Sequence, residues 1–213
     1  MLCPVTFLLI RHGETAWNLD GRIQGHGDSP LAATGLAQAR ALAERLARDK
    51  VHALYSSDLG RACETARYVA EATARDIRFD SGLRERSYGI LEGKTWSQIE
   101  RDHPDDYARQ LALDPEHAMH GGESTTQFRD RVLRTLDRIA RESDGERIAV
   151  VTHGGVLGIL YREAMGIPLS APRSYTVFNA SINRFRYVAR GWEVEQWGDT
   201  DHLEKAASLD DVQ

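Results

Sequence analysis

Val5-Thr6-Phe7-Leu8-Leu9-Ile10, followed at once by Arg11-His12-Gly13-Glu14-Thr15, puts an arginine and a histidine at the end of an uncharged apolar run. Such a continuous, partly β-branched run reads as a strand buried on both faces, as in a parallel sheet. The same arrangement recurs far along the chain, where Ile148-Ala149-Val150-Val151 leads into Thr152-His153-Gly154-Gly155. A buried strand is rigid, so a side chain at its end is held in a fixed direction. In open α/β sheets, ligands bind outside the carboxyl ends of the strands. The two His-Gly steps therefore predict one site at that edge.

The segments between these strands fit the same plan. Gly35 to Lys50 is helical in pattern, with Leu36, Ala39, Ala43 and Leu46 on one face. Thr34 is placed to cap its first turn. Val51 to Tyr55 is a short strand, a second helix begins near Leu59, and Ile77 and Phe79 mark another brief strand. The stretch from Leu83 to Gly122 is polar and rich in glycine and proline, and it predicts an insertion or lid with one or two short helices. Ser124-Thr125-Thr126-Gln127 is a capping-box pattern opening a long helix. Gly154 to Met165 is a further helix, and Val177–Val188 with Trp192–Trp197 is a closing hairpin turned at Gly191. The last dozen residues are polar and are expected to be mobile. This alternation predicts a three-layer α/β/α sandwich with a mostly parallel sheet, the insertion at about 83–122 lying over the C-terminal edge of the strands, and residues 1–213 forming a single domain.

Composition narrows the function. The net charge of −5 gives no nucleic-acid surface. Two cysteines do not make a disulfide scaffold, and the N-terminal apolar run is too short for a signal peptide or a membrane span. A soluble cytoplasmic protein with no nucleic-acid or membrane partner is expected. None of the eight histidines falls in a zinc motif, apart from a weak His117-x-x-His120, and no glycine-rich nucleotide loop is present.

Two imidazoles and an arginine at a strand edge point to transfer of an anionic group, with phosphoryl the leading candidate. Neutral His12 can attack phosphorus through one ring nitrogen if the other is fixed by a backbone carbonyl. Arg11 and Arg61 can match the equatorial oxygens bidentately, and Arg61 lies in the first turn of its helix. The plain structural alternative pairs these arginines with Asp58 or Glu64. His153 across the group can donate to the transition state, and Gly154 with Gly155 permits close approach. The leaving oxygen needs a proton. Glu85, in Leu83-Arg84-Glu85-Arg86-Ser87-Tyr88-Gly89, is the candidate acid, with Glu92 and Glu14 as rivals.

Six motifs in order resemble the histidine phosphatase superfamily, the group that includes cofactor-dependent phosphoglycerate mutases. They are Leu9-Ile10-Arg11-His12-Gly13-Glu14-Thr15, Gln24-Gly25 with Asp28-Ser29-Pro30-Leu31, Ser56-Ser57-Asp58-Leu59-Gly60-Arg61-Ala62, Leu83-Arg84-Glu85, Gly122-Glu123-Ser124 and Thr152-His153-Gly154. The resemblance implies that His12 is the phosphorylated nucleophile. It implies that Arg11, Arg61 and His153 complete the phosphate pocket and that Glu85 is the proton donor. Asn18, Gln24, Gly25 and Gly154 would line the pocket mouth against a small phosphomonoester. It implies no metal and no cofactor, with 2,3-bisphosphoglycerate a primer only for a mutase. Mutases of this family carry Asn after the His-Gly step and paired arginines in the insertion. Here the corresponding residues are Gly155 and the lone Arg109 of Asp105-Asp106-Tyr107-Ala108-Arg109-Gln110. The expectation is a phosphomonoesterase, with a phosphoglycerate mutase as the alternative. A homodimer is compatible with the sequence.

Overall fold

The computed structural model describes residues 3–143 and 145–203. Six strands form one sheet among them: β1 (Val5–Arg11), β2 (Ala53–Ser56), β3 (Ile77–Phe79), β4 (Arg147–Thr152), β5 (Ile182–Val188) and β6 (Gly191–Asp199), in the order β3-β2-β4-β1-β5-β6. The first four in that order are parallel, β5 runs antiparallel to β1, and β6 runs antiparallel to β5. The helices are α1 (Ala16–Leu19), α2 (Ala33–Leu46), α3 (Gly60–Thr73), α4 (Trp96–Asp102), α5 (Pro104–Leu111), α6 (Thr125–Arg141) and α7 (Gly154–Met165).

The strand period of two sends alternate residues to opposite layers. Phe7 and Leu9 of β1, with Ile148 and Val150 of β4, pack on Phe128, Val132 and Leu136 of α6 and on Val156 and Leu160 of α7. Leu8 and Ile10, with Ala149 and Val151, face Leu42 and Leu46 of α2 and Ala62, Ala66 and Val69 of α3. β1 and β4 are adjacent in register, Arg11 opposite Thr152, so both His-Gly steps leave the sheet side by side. A third, smaller core lies under the insertion, where Leu91, Ile99 and Met119 close over Ile23.

Several sequence expectations shift. α2 begins at Ala33 with Ala32 as its N-cap, so Thr34 does not cap it. The Thr34 hydroxyl instead donates to Glu14 Oε2 at 2.5 Å, because the loop after His12 lies against the helix start. The helix ends at Leu46 rather than Lys50, and β2 starts at Ala53 rather than Val51. β5 starts at Ile182, not Val177, since residues 177–181 turn across the end of β1, where Ser181 accepts from the Arg11 N–H and Ala180 donates to the Arg11 carbonyl. From residue 204 onward the polar C-terminal tail expected to be mobile lies outside the described residues. No described helix is long and apolar enough to cross a membrane.

Candidate active site

His12 follows β1 and is only 3 % exposed. Its Nδ1 lies 2.8 Å from the Gly13 carbonyl oxygen, which can only accept, so the proton sits on Nδ1 and the Nε2 lone pair is left outward. Burial, reinforced by Arg61 and Arg11, holds this imidazole well below its ordinary value and keeps it neutral. Its loop is held by Gly13 N–H donating to Thr65 Oγ1 at 3.1 Å and by Asn179 Nδ2 donating to the His12 carbonyl at 3.0 Å.

His153 stands beside it, the ring centroids 5.2 Å apart. It is fully buried at the start of α7, its Nε2 is 2.8 Å from Ser57 Oγ, and its Nδ1 has no protein partner. Burial, with Arg61, His12 and Arg11 adding, keeps it neutral too.

Terminal nitrogens of both arginines reach backbone carbonyls of the loops around them. Arg61, fully buried in the first turn of α3, donates Nη2 to the Gly25 carbonyl at 2.7 Å and Nη1 to the Gly27 carbonyl at 2.8 Å. Its acidic neighbour is Asp28, not Asp58 or Glu64; Asp58 instead takes both ends of the Arg84 guanidinium at 2.6 Å. Arg61 thus orders the 24–28 loop and leaves its Nε buried and unpartnered. Arg11 donates Nη1 to the Val177 carbonyl at 2.7 Å, and its Nε is likewise unpartnered. Burial, only partly offset by Glu85, lowers Arg11 to about 10, so it remains a cation at neutral pH.

Glu85 lines the same cleft as Arg11, Gly154 and Gly155, a space of about 380 Å³. Its Oε2 accepts from the Gly155 N–H at 2.9 Å and its Oε1 from the Arg86 N–H at 2.8 Å. The backbone behind it is fixed from α6, where Arg131 donates to the carbonyls of Gly82, Arg84 and Glu85 while holding Glu123. Thr152, at the end of β4, ties down the Leu83 carbonyl at 2.8 Å. A Cβ at position 155 would overlap Glu85 Oε1.

The rival carboxylates are occupied elsewhere. Glu92 accepts from the N–H groups of His26, Gly27 and Tyr88 at 2.9, 2.7 and 3.0 Å, pinning the 25–27 loop to the insertion. Glu14 Oε2 accepts from the Thr34 hydroxyl, and Glu14 lines a neighbouring cleft with Gln38. Asn18 Oδ1 closes the cap of α1, accepting from the Thr15 N–H at 3.1 Å, so its amide nitrogen is the end left for a ligand. Gln24 is buried with Oε1 unpartnered. His117 and His120 both contact the buried Asp106, and among the described residues no cluster has the composition of a metal site.

Sequence reasoning missed Ser57, Asn179 and Arg131. Ser57 directly follows β2, at the edge where ligands bind. Asn179 precedes β5, whose reversed direction brings its start to that same edge. Those two follow from the topology, whereas nothing local in the sequence distinguishes Arg131 from the other arginines of α6.

The profile of the histidine phosphatase superfamily (branch 1) matches residues 7–200, and the chain belongs to that superfamily. A relative from Salmonella choleraesuis named "Probable phosphoglycerate mutase GpmB" is 40% identical over 211 residues, spanning 96% of this chain and 97% of that protein. Among solved structures, Bacillus stearothermophilus YhfR superposes with a TM-score of 0.88 at 33% identity, covering 93% of this chain and 99% of its own. A mycobacterial glucosyl-3-phosphoglycerate phosphatase gives 0.81 at 30% identity, covering 92% and 99%.

Proposed function

We propose that the protein is a metal-independent phosphomonoesterase acting on small phosphorylated metabolites through a phosphohistidine on His12. One observation carries the reading. Beside a neutral histidine whose Nε2 is left outward lie three buried nitrogens with no protein partner: Arg11 Nε, Arg61 Nε and His153 Nδ1. Buried polar atoms are normally satisfied, so a cluster of unsatisfied ones marks a place for a ligand, here one rich in acceptor oxygens.

In this reading His12 Nε2 attacks phosphorus as the ester P–O bond breaks. The departing alkoxide takes a proton from Glu85. Water then attacks the phosphohistidine, gives a proton back to the Glu85 carboxylate and releases inorganic phosphate. The two Nε–H donors and His153 meet the charge that builds on the equatorial oxygens. Asn18, Gln24, Gly25 and Gly154 form the rim. A cytoplasmic setting, with a small phosphomonoester as the partner, belongs to the same proposal.

The mutase reading is favoured by the name of the Salmonella relative. It would use the same phosphohistidine, primed by 2,3-bisphosphoglycerate, and would need to exclude water. Against it, Arg109 does not line the cleft; its neighbour Gln110 does. A phosphorus NMR time course separates the two. With 3-phosphoglycerate and a trace of 2,3-bisphosphoglycerate, the phosphatase releases inorganic phosphate and EDTA does not slow it. Rapid appearance of 2-phosphoglycerate with little inorganic phosphate overturns this assignment.

A further inference from the structure

The cleft beside Glu85 carries more positive charge than a phosphoryl group needs. Arg11, Arg86, Arg162 and Arg173 all line it, against the single carboxylate of Glu85. Among the described residues none of these four arginines has an ion-pair partner. Two are occupied by neutral acceptors. Arg86 donates to the carbonyls of Glu123 and His117 at 2.9 and 3.1 Å. Arg162 donates to the Tyr175 hydroxyl and to the carbonyls of Pro168 and Ala171.

Arg173 is different. It lies on the exposed loop between α7 and β5, and only its Nε is engaged, with the Tyr175 carbonyl at 2.8 Å. Its guanidinium rests over the Tyr175 ring, 5.3 Å from the centroid. Both terminal nitrogens are without a protein hydrogen bond among the described residues, so a planar pair of donors on the cleft lining has no protein acceptor. Its charge lies close enough to act on Arg11 and Tyr88, which line the same cleft. The insertion helix α5 and the turn after it bring only neutral groups to this cleft, Gln110 and Leu113.

We infer that Arg173 is a specificity-determining residue that selects phosphomonoesters bearing a carboxylate, by taking the carboxylate on its free terminal nitrogens while the phosphoryl group sits on Arg11, Arg61 and His12. A guanidinium and a carboxylate match as a two-point, charge-assisted pair. The cation comes from the loop before β5 rather than from the insertion helices. This inference uses the phosphate pocket of the proposed function but does not depend on whether the phosphoryl group ends on water or on a second alcohol.

The test is equilibrium binding in the His12→Ala background, where turnover is blocked. 3-Phosphoglycerate and glycerol 3-phosphate differ in one carboxylate, and each is titrated calorimetrically into proteins carrying Arg, Gln or Lys at position 173. With Arg173, 3-phosphoglycerate is expected to bind about tenfold more tightly, the scale of one hydrogen-bonded charge pair. Arg173→Gln should remove that preference and leave glycerol 3-phosphate within about twofold. Arg173→Lys should restore part of it. The preference should also shrink as salt rises, because the pair is exposed. Equal affinities with Arg173, no binding of either ligand, or an equal loss of both in Arg173→Gln overturns the inference. The failure of the phosphatase reading shows elsewhere, as absence of phosphate release by the unsubstituted enzyme.

Discussion

At the scale of single residues the account rests on which atoms are spoken for. Glu85 sits with one oxygen on each of two backbone N–H groups, poised over the cleft that holds Arg11. In the proposed mechanism it is the proton donor, and that role matters most when the leaving group is a poor one. Glu85→Gln should slow alkyl phosphates by about 10²–10⁴-fold, the usual reach of general acid catalysis. It should slow p-nitrophenyl phosphate far less, because that phenolate leaves unaided. Steady-state rates on the two substrates decide it, and equal losses remove Glu85 from the role.

The two buried histidines give a second residue-scale prediction, in stability. Burial holds both His12 and His153 well below the ordinary 6.5 in the folded state. Below about pH 6.5 the unfolded chain therefore binds protons that the folded chain does not, and stability falls as pH falls. Each such histidine contributes a slope of up to about 1.4 kcal/mol per pH unit in that range, and neither contributes above it. Urea midpoints at pH 7.5, 6.5 and 5.5 should fall between the last two, and His153→Asn should flatten the fall. An unchanged midpoint contradicts the buried neutral pair.

At the scale of elements, close packing positions His12 and Glu85. The turn after β1 lies directly on the first turn of α2: a Cβ on Gly13 would stand 2.5 Å from the Gly35 carbonyl, and one on Gly35 would overlap the Glu14 carbonyl. Both obstacles are backbone and cannot yield. Gly35→Ala should therefore lower stability by about 1–3 kcal/mol, the ordinary cost of overpacking, and should cut turnover because His12 sits in that turn. Thermal unfolding and kcat check the two parts. Gly155→Ala works through a side chain instead. It should displace the Glu85 carboxylate and reproduce the leaving-group dependence of Glu85→Gln with only a small loss of stability. A kinetic profile unlike that of Glu85→Gln separates the glycine from the acid.

Much of this was legible in the chain. β1 and β4 were readable because a strand buried on both faces leaves an unbroken apolar run, and the histidine that ends each run was readable with them. The start of α2 was not, because Thr34 is a good capping residue by type and loses that role to a tertiary partner, Glu14. The early start expected for β5 failed similarly. Val177 is apolar and β-branched, but its carbonyl is taken by Arg11 rather than by a strand. The grip of Arg61 on two loop carbonyls has no local signature, since it joins residues more than thirty positions apart.

At the scale of the whole molecule, the sheet and its two helical layers carry His12 and His153, while the insertion packs as a separate small unit beside them. It has its own small core of Leu91, Ile99 and Met119 against Ile23, two positions before Gly25. Glu92 ties the same loop through the N–H groups of His26 and Gly27, and takes that of Tyr88 within the insertion. Ile99→Ala should therefore cost about 2–4 kcal/mol locally and loosen the insertion before the sheet. Hydrogen exchange should show faster opening across 83–122 with β1 and β4 unaffected, together with a raised KM. Uniform acceleration across the sheet contradicts a separately packed insertion.

The central claim is that His12 Nε2 takes the phosphoryl group. Rapid mixing with a phosphorus-labelled slow substrate, followed by alkaline quench, measures it directly. The account predicts label bound to the protein, stable in base, lost in acid, mapped to His12, and absent from His12→Ala, which should not turn over. Label that survives acid, or a His12→Ala enzyme with near-normal phosphate release, contradicts it.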